Sequence, residues 1–254
     1  MTRKFSFIAS GAPDAQAAAK HLAALYGNAR QEDADVIVAL GGDGFMLQTL
    51  HEQMNSGRVV YGMNRGSVGF LMNTYSDADL PGRIDAAVEN IIRPLKMEAT
   101  DADGVIHRAL AINEVSLLRQ SYQAAKLRLT IDGQVRMEEL ICDGIMVATP
   151  AGSTAYNLSA HGPILPLDAQ LLALTPVSPF RPRRWRGALL PNKVMVSMDV
   201  LEHEKRPVNA VADHQEVKSV VRVQVSESQD QTARILTDSS HSWNDRILAE
   251  QFLY

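Results

Sequence analysis

Two hydrophobic rhythms divide the chain. In the first third, short apolar runs alternate with amphipathic stretches. Phe5 to Ala9 reads as a strand, and the alanine-rich stretch from Asp14 to Tyr26 predicts a helix ending at Gly27-Asn28, a common stop signal. Val36 to Leu40 is an apolar run bounded by polar residues, as expected of a buried parallel strand. From Phe45 to Met54, Leu47, Leu50 and Met54 share one helical face, and the pattern closes at Gly57. Val59 to Met63 predicts another strand, and Asp79 to Ile92 a further helix with Pro94 just beyond it. This β-α-β-α-β order is that of an open parallel sheet.

The rhythm changes near Leu95. Leu127, Leu129 and Ile131 alternate with Arg128, Thr130 and Asp132, and the turn pair Asp132-Gly133 leads into Val135 and Met137, which predicts a hairpin. Val194 to Val200 and Val221 to Val225 alternate in the same way, the mark of antiparallel sheets with one wet face. The expected fold class is therefore α/β plus β-rich: an N-terminal open parallel α/β domain over residues 1–95 and a C-terminal, mainly antiparallel β domain over 96–237. Residues 238–254, with a helix from Ser242 to Tyr254, are expected to pack back on the first domain. The 254 residues suffice for two modest hydrophobic cores.

Composition narrows the function classes. A formal net charge of −4 gives no general attraction to nucleic acid or to anionic membranes, so neither is expected as a partner. No apolar run approaches membrane-spanning length, and the basic N-terminus lacks the apolar core of a signal peptide. Cys142 is the single cysteine, so no intrachain disulfide forms, which suits a cytoplasmic protein. Its neighbours Leu140, Ile141 and Ile145 make it an inert, buried thiol. The seven histidines are scattered, without ligand spacing to Cys142, so no resident metal site is expected. Arg181, Arg183, Arg184 and Arg186, around Pro182 and Trp185, read as a solvated loop.

Four constellations carry candidate chemistry. Gly41-Gly42-Asp43-Gly44 lies between a strand and a helix, where glycines tolerate positive φ and a helix N-terminus suits phosphate. Phosphate would repel an aspartate, so Asp43 either caps the helix or accepts a proton from a hydroxyl or holds Mg²⁺. Gly62 to Phe70 forms a second glycine-rich turn after the next strand, and two such turns at the carboxyl ends of successive strands lie where open α/β sheets bind ligands. Asn113-Glu114 interrupts an apolar passage and needs polar partners or an exposed edge. Asp143-Gly144 is followed by Thr149 to Ser159 and by Gly162-Pro163. There Ser153 or Thr154 is expected to cap a short helix stopping at Gly162, with small residues able to underlie a base or ribose and Tyr156 able to stack. Neither a Walker-type loop nor a Gly-x-Gly-x-x-Gly fingerprint is present.

These residues together resemble the NAD kinase family, most closely its short bacterial members. Gly41-Gly42-Asp43-Gly44, Asn64-Arg65-Gly66-x-x-Gly69-Phe70-Leu71, Asn113-Glu114, Asp143-Gly144 and Thr154-Ala155-Tyr156-Asn157-Leu158-Ser159 occur in the family's order and spacing. The Gly-Gly-Asp-Gly element alone is shared with phosphofructokinases and with diacylglycerol and sphingosine kinases. The resemblance implies phosphorylation of the adenosine ribose 2′-hydroxyl of NAD by ATP, with Mg²⁺ or another divalent cation, in a homodimer or homotetramer built through the β-rich domain.

It also implies roles. Asp43 matches the catalytic base, and Gly44 sits beside the NAD diphosphate. Phe70 matches a ring near the adenosine, and Asn113 and Glu114 match contacts to the adenosine half. Thr154, Ala155, Tyr156, Asn157, Leu158 and Ser159 lie in a further NAD-contacting segment. Asp143 and Ser178 fall near the nicotinamide riboside, and Ala151 and Gln215 align with binding positions. Three residues depart from the family pattern. Phe45 replaces a frequent Thr, His161 replaces a common glycine, and Ile141 stands where some members place an arginine that contacts the phosphoryl donor. A lipid kinase sharing the glycine motif is the competing enzyme reading. A non-catalytic dinucleotide sensor is the alternative outside catalysis, and it would gain little from the carboxylate of Asp43.

Overall fold

The structure, a computed structural model, describes residues 3–65, 69–239 and 243–252. Gly66, Ser67 and Val68 of the second glycine-rich turn lie outside the described residues, as do the expected helix limits Ser242 and Tyr254. The chain forms two compact units, one from the first 92 residues with those from 230 onward, the other from 93–229.

The first unit opens with β1 (Phe5–Ala9), α1 (Pro13–Tyr26), β2 (Val36–Gly41), α2 (Asp43–Glu52) and β3 (Val59–Asn64). β1, β2 and β3 pair in parallel. All six residues of β2 are buried, which explains its unbroken apolar run. The stretch expected to form a helix from Asp79 to Ile92 instead splits into α3 (Leu80–Ala86) and β4 (Val88–Ile92). Asp79 caps α3 through the Gly82 N–H at 3.2 Å, and Ala87 turns extended, ending it after two turns.

The second unit is almost wholly β. Strands β5 (Leu95–Asp101), β6 (Ile106–Ala111), β8 (Ala125–Ile131), β9 (Gln134–Cys142), β13 (Val196–Val200) and β16 (Val220–Glu227) form one six-stranded sheet, in the order β6-β5-β16-β13-β8-β9. The other contains β7 (Glu114–Arg119), β10 (Gly144–Ala148), β11 (Leu171–Val177), β12 (Ala188–Pro191), β14 (Val208–Ala212) and β15 (Gln215–Val217), in the order β12-β11-β10-β7-β14-β15. All these pairings are antiparallel. Leu127, Leu129 and Val196 from one sheet share a single core with Val115, Val147 and Leu172 from the other. The expected hairpin is β8–β9, with positive φ at both Asp132 and Gly133, the conformation a two-residue turn requires. A 3₁₀ turn (Ala151–Thr154) and the single-turn α4 (Tyr156–Ser159) follow β10.

The chain then returns to the first sheet. β17 (Ala233–Thr237) lies between β3, parallel to it, and β4, antiparallel. The sequence pattern had assigned these residues to the second domain. Ile235, Leu236 and Ile92 are buried there, and each such side chain contributes about 1.5–3 kcal/mol. The surface pair Arg234–Glu89, at 2.6 Å, adds about 1 kcal/mol at most, so burial holds the strand in place. The last element, α5 (Trp243–Gln251), buries Trp243 and Ile247. The fold is thus a parallel α/β sheet with one antiparallel edge, and a separate antiparallel β unit.

Candidate active site

In the first unit, register places the ends of β2 and β3 side by side, with Gly41 opposite Asn64. Both glycine-rich turns therefore leave the same edge of the sheet. None of Gly41, Gly42 and Gly44 has positive φ, so their use is space rather than backbone freedom. A Cβ at Gly41 would press on Phe45 and Ser10, whereas at Gly42 or Gly44 it would meet nothing within 4 Å. An open face beside the first turn of α2 suits a phosphate, because the first N–H groups of a helix have no intrahelical partner.

Asp43 opens α2, and Gly42 is the cap residue. Capping is therefore not the task of the Asp43 side chain. Its Oδ2 accepts the Phe70 N–H at 2.7 Å and its Oδ1 the Leu71 N–H at 3.0 Å. A Cβ at Gly69 would collide with the Asp43 carboxylate. The main chain at Gly69–Leu71 thus closes on the Asp43 carboxylate, and the structure brings Asp43 and Phe70 together.

A buried polar network backs this turn. Arg246 of α5 donates to Phe70 O at 2.7 Å and to Asn73 Oδ1 at 2.9 Å. Asn73 Nδ2 donates to Leu236 O, and Asp238 N donates to Asn73 Oδ1. Tyr61 OH and Arg83 donate to the two oxygens of Asp238, at 2.5 and 2.6 Å. Burial, followed by the hydrogen bond to Asp238, raises the Tyr61 hydroxyl above its ordinary range. Burial lowers Arg246, opposed by the charges of Asp238 and Asp43.

In the second unit, Asn113-Glu114 lies where β6 gives way to β7, with Glu114 opposite Ala148 of β10. Thr149 fixes the carbonyl side of this main chain. Its Oγ1 donates to Ile112 O at 2.6 Å and its N–H donates to Asn113 O at 2.9 Å. Gly152 packs on the Asn113 backbone so closely that a Cβ would overlap it. The structure thereby brings Asn113 against Gly152, the chain neighbour of Ala151. Glu114 Oε2 is buried without a hydrogen-bond partner. Burial, then the charge of Asp213, pushes its carboxyl up to about 7.

The Thr154–Ser159 segment differs from the expected capped helix. Ser153 Oγ donates to Pro150 O at 2.7 Å and accepts the Leu165 N–H at 3.0 Å, while no side chain caps α4. Asn157 is fully buried. Its amide donates to Ser153 O and Pro163 O and accepts from Thr175, so it shapes the segment from inside. Gly162 is needed for closeness to Asn157, and the left-handed residue is His161, at φ 61°. Tyr156 and Ser159 are exposed, and Thr154, Ala155 and Leu158 half-buried.

Asp143 and Ser178 flank the paired strands β10 and β11, and the Asp143 N–H donates to Val177 O. The Asp143 carboxylate accepts from Arg119 Nε at 2.6 Å, and Ser178 is exposed with φ 46°. Gln215 is exposed at the start of β15. Arg181, Arg183, Arg184 and Arg186 are exposed, as expected of a solvated loop. Cys142 is buried and its thiol pushed up to about 12, chiefly by burial.

The model of the ATP-NAD kinase C-terminal domain matches residues 112–237. The NAD kinase of Rhizobium meliloti (strain 1021) is 68% identical, over 99% of both chains. The chain belongs to the NAD kinase family. Other members include the NAD kinases of Brucella suis biovar 1, 65% identical over 97% of this chain and 96% of that one, and of Caulobacter vibrioides, 59% identical over 98% and 96%. The fold persists at much lower identity. Yeast NADH kinase complexed with NADH has a TM-score of 0.84 at 19% identity, covering 99% of this chain and 87% of that one. An NAD kinase from Archaeoglobus fulgidus in complex with ATP has a TM-score of 0.76 at 21% identity, covering 95% and 96%.

Sequence reasoning missed Asp213 and Arg246. Asp213 lies in an Asp-His turn between alternating strands, which reads as ordinary turn chemistry. Arg246 lies on a short, polar, C-terminal helix. Neither has a local signal, because each acts on main chain far away in sequence.

Proposed function

We propose that the protein transfers the γ-phosphoryl group of ATP to the 2′-hydroxyl of the adenosine ribose of NAD, giving NADP and ADP. The hydroxyl oxygen bonds to the γ-phosphorus, the bond from that phosphorus to the bridging oxygen breaks, and ADP leaves with the electron pair. The hydroxyl proton passes to the carboxylate of Asp43. One observation supports this assignment above the others: Asp43 is held by the Phe70 and Leu71 amides beside the open faces of Gly42 and Gly44. Each carboxylate oxygen keeps a lone pair to accept a proton. Phosphoryl transfer asks mainly for positioning and charge neutralisation, which a fixed acceptor beside a helix N-terminus supplies.

In this reading Gly44 lies beside the diphosphate and the Phe70 ring against the adenosine. Asn113 and Glu114 hold the adenosine half, with Ala151, Thr154, Ala155, Tyr156, Ser159 and Gln215 as further contacts. Leu158 is a further contact, and the buried Asn157 keeps that segment in shape. Asp143 and Ser178 serve the nicotinamide riboside.

Both Asp43 oxygens already accept amide hydrogens, and among the described residues no group of three or more His, Cys, Asp or Glu is placed to hold a metal ion. In this reading a divalent cation such as Mg²⁺ accompanies the ATP phosphates and would offset their charge. We further propose a homodimer or homotetramer acting in the cytoplasm. Among the described residues, no helix is long and apolar enough to cross a membrane.

The test is a coupled assay with purified protein, ATP, Mg²⁺ and NAD, reading NADP through an NADP-specific dehydrogenase. NADP should form, and Asp43→Asn should lose at least about a hundredfold in turnover, because a positioned base contributes ~10²–10⁴-fold. Near-normal turnover in folded Asp43→Asn removes Asp43 from this role. If no NADP forms from protein that binds NAD, the sensor reading takes its place.

A further inference from the structure

Asp213 occupies the turn between β14 and β15 with φ 51°, a left-handed conformation that aspartate adopts more readily than most residues. Its carboxylate accepts three consecutive main-chain N–H groups: Ile112 at 2.6 Å on Oδ2, and Asn113 and Glu114 at 2.9 and 3.3 Å on Oδ1. Its own N–H donates to Glu114 O at 3.2 Å. Hydrogen bonds to an ionised acceptor are about twice as strong as neutral ones. Thr149 holds the carbonyls of Ile112 and Asn113 from the other side. The main chain of Asn113-Glu114 is thus fixed on both its donor and its acceptor edge, and the Glu114 side chain ends in a buried oxygen without a partner. A buried, unpaired carboxylate oxygen is costly unless a ligand supplies the missing donor.

We infer that Asp213 is a positioning residue for the dinucleotide: its carboxylate pins the Asn113–Glu114 main chain and so aims the unpartnered Glu114 oxygen at a hydroxyl or amine donor of NAD. This rests on the NAD kinase reading of the same site. Asp213 also acts on Glu114 through space. Burial is the larger cause that holds the Glu114 proton, and the Asp213 charge adds to it. Removing that charge lets Glu114 ionise at lower pH.

Asp213→Asn keeps the size of the side chain and one acceptor but removes the charge. Misplacement on the scale of an ångström costs up to about a hundredfold, so KM for NAD should rise between about tenfold and a hundredfold while kcat stays within about threefold. In the wild type, KM for NAD should change with pH near neutrality. That change should move to lower pH in Asp213→Asn, vanish in Glu114→Gln, and keep its position in Asp213→Glu. A merely structural Asp213 would lower melting temperature and kcat together and leave the pH dependence in place. That result, or an unchanged KM in folded Asp213→Asn, overturns the inference. Should Asp213→Asn not fold, Glu114→Gln decides: wild-type KM and wild-type pH dependence in that variant overturn it equally. If the wild type forms no NADP, the functional reading falls by itself, and the positioning role is read from calorimetric NAD affinity of the same variants. Weakened binding in Asp213→Asn and Glu114→Gln then supports it, and unchanged or absent binding overturns it.

Discussion

Each unit fixes a candidate site segment of main chain with one carboxylate, but the two do so in opposite senses. In the α/β unit, the carboxylate is itself the group proposed to react. Asp43 accepts the Phe70 and Leu71 amides, and the turn is shaped so that the acid is held. In the β unit, the carboxylate is the tool. Asp213 accepts the amides of Ile112, Asn113 and Glu114, so that a different side chain is presented. The first arrangement should fail through turnover and the second through affinity.

That distinction can be attacked from both sides. Gly69→Ala drives a Cβ into the Asp43 carboxylate, and NADP formation should fall by at least about a hundredfold with NAD affinity little changed, as steady-state kinetics and calorimetry would report. Gly152→Ala drives a Cβ into the Asn113 backbone. It should raise KM for NAD by roughly tenfold or more and lower stability by about 1–3 kcal/mol, read by urea titration. If both variants alter the same kinetic constant, the division of labour between the units is wrong.

The unliganded protein offers a third test. Glu114 carries a carboxyl raised to about 7 from 4.5, so between those values the folded state binds more protons than the unfolded chain, and stability falls as pH rises through the window. At one pKa unit to 1.36 kcal/mol, this group costs up to about 3 kcal/mol by pH 8. Glu114→Gln should therefore flatten the decline and gain most on the wild type above pH 7, as denaturant melts across pH would show. A steeper decline in the variant contradicts the assignment. The smallest effect belongs to Cys142. Buried, with its thiol raised to about 12, it should resist iodoacetamide at pH 8 in the native protein and react only after unfolding, with activity unchanged by the reagent.

Legibility followed distance along the chain. Gly41–Gly44 and the β8–β9 turn were readable because strand, turn and helix signals sit within ten residues of one another. Val88–Ile92 was misread as helix because the strand that makes it a strand, Ala233–Thr237, lies about 145 residues away. Ser153 looked like a helix cap because it precedes a short helix, yet its hydroxyl bonds Pro150 and Leu165 across a loop. The glycines of Gly41–Gly44 suggest positive φ by type alone, and the structure uses them for open space and close packing instead. Of the candidate residues, Asn157 shows how a motif mixes tasks: its neighbours Tyr156 and Ser159 face outward, while its own amide is used up inside.

The late return of β17 between β3 and β4 bears on how the protein is made. While the ribosome is still producing the second unit, β3 has an open edge and β4 has no partner, so the N-terminal sheet waits for residue 237 to emerge. Residues 93–229 are contiguous and can close their own core first. A nascent chain whose residues up to about 229 have emerged from the ribosome would carry a finished β unit and an unfinished α/β unit, with the apolar edge of β3 exposed to chaperones.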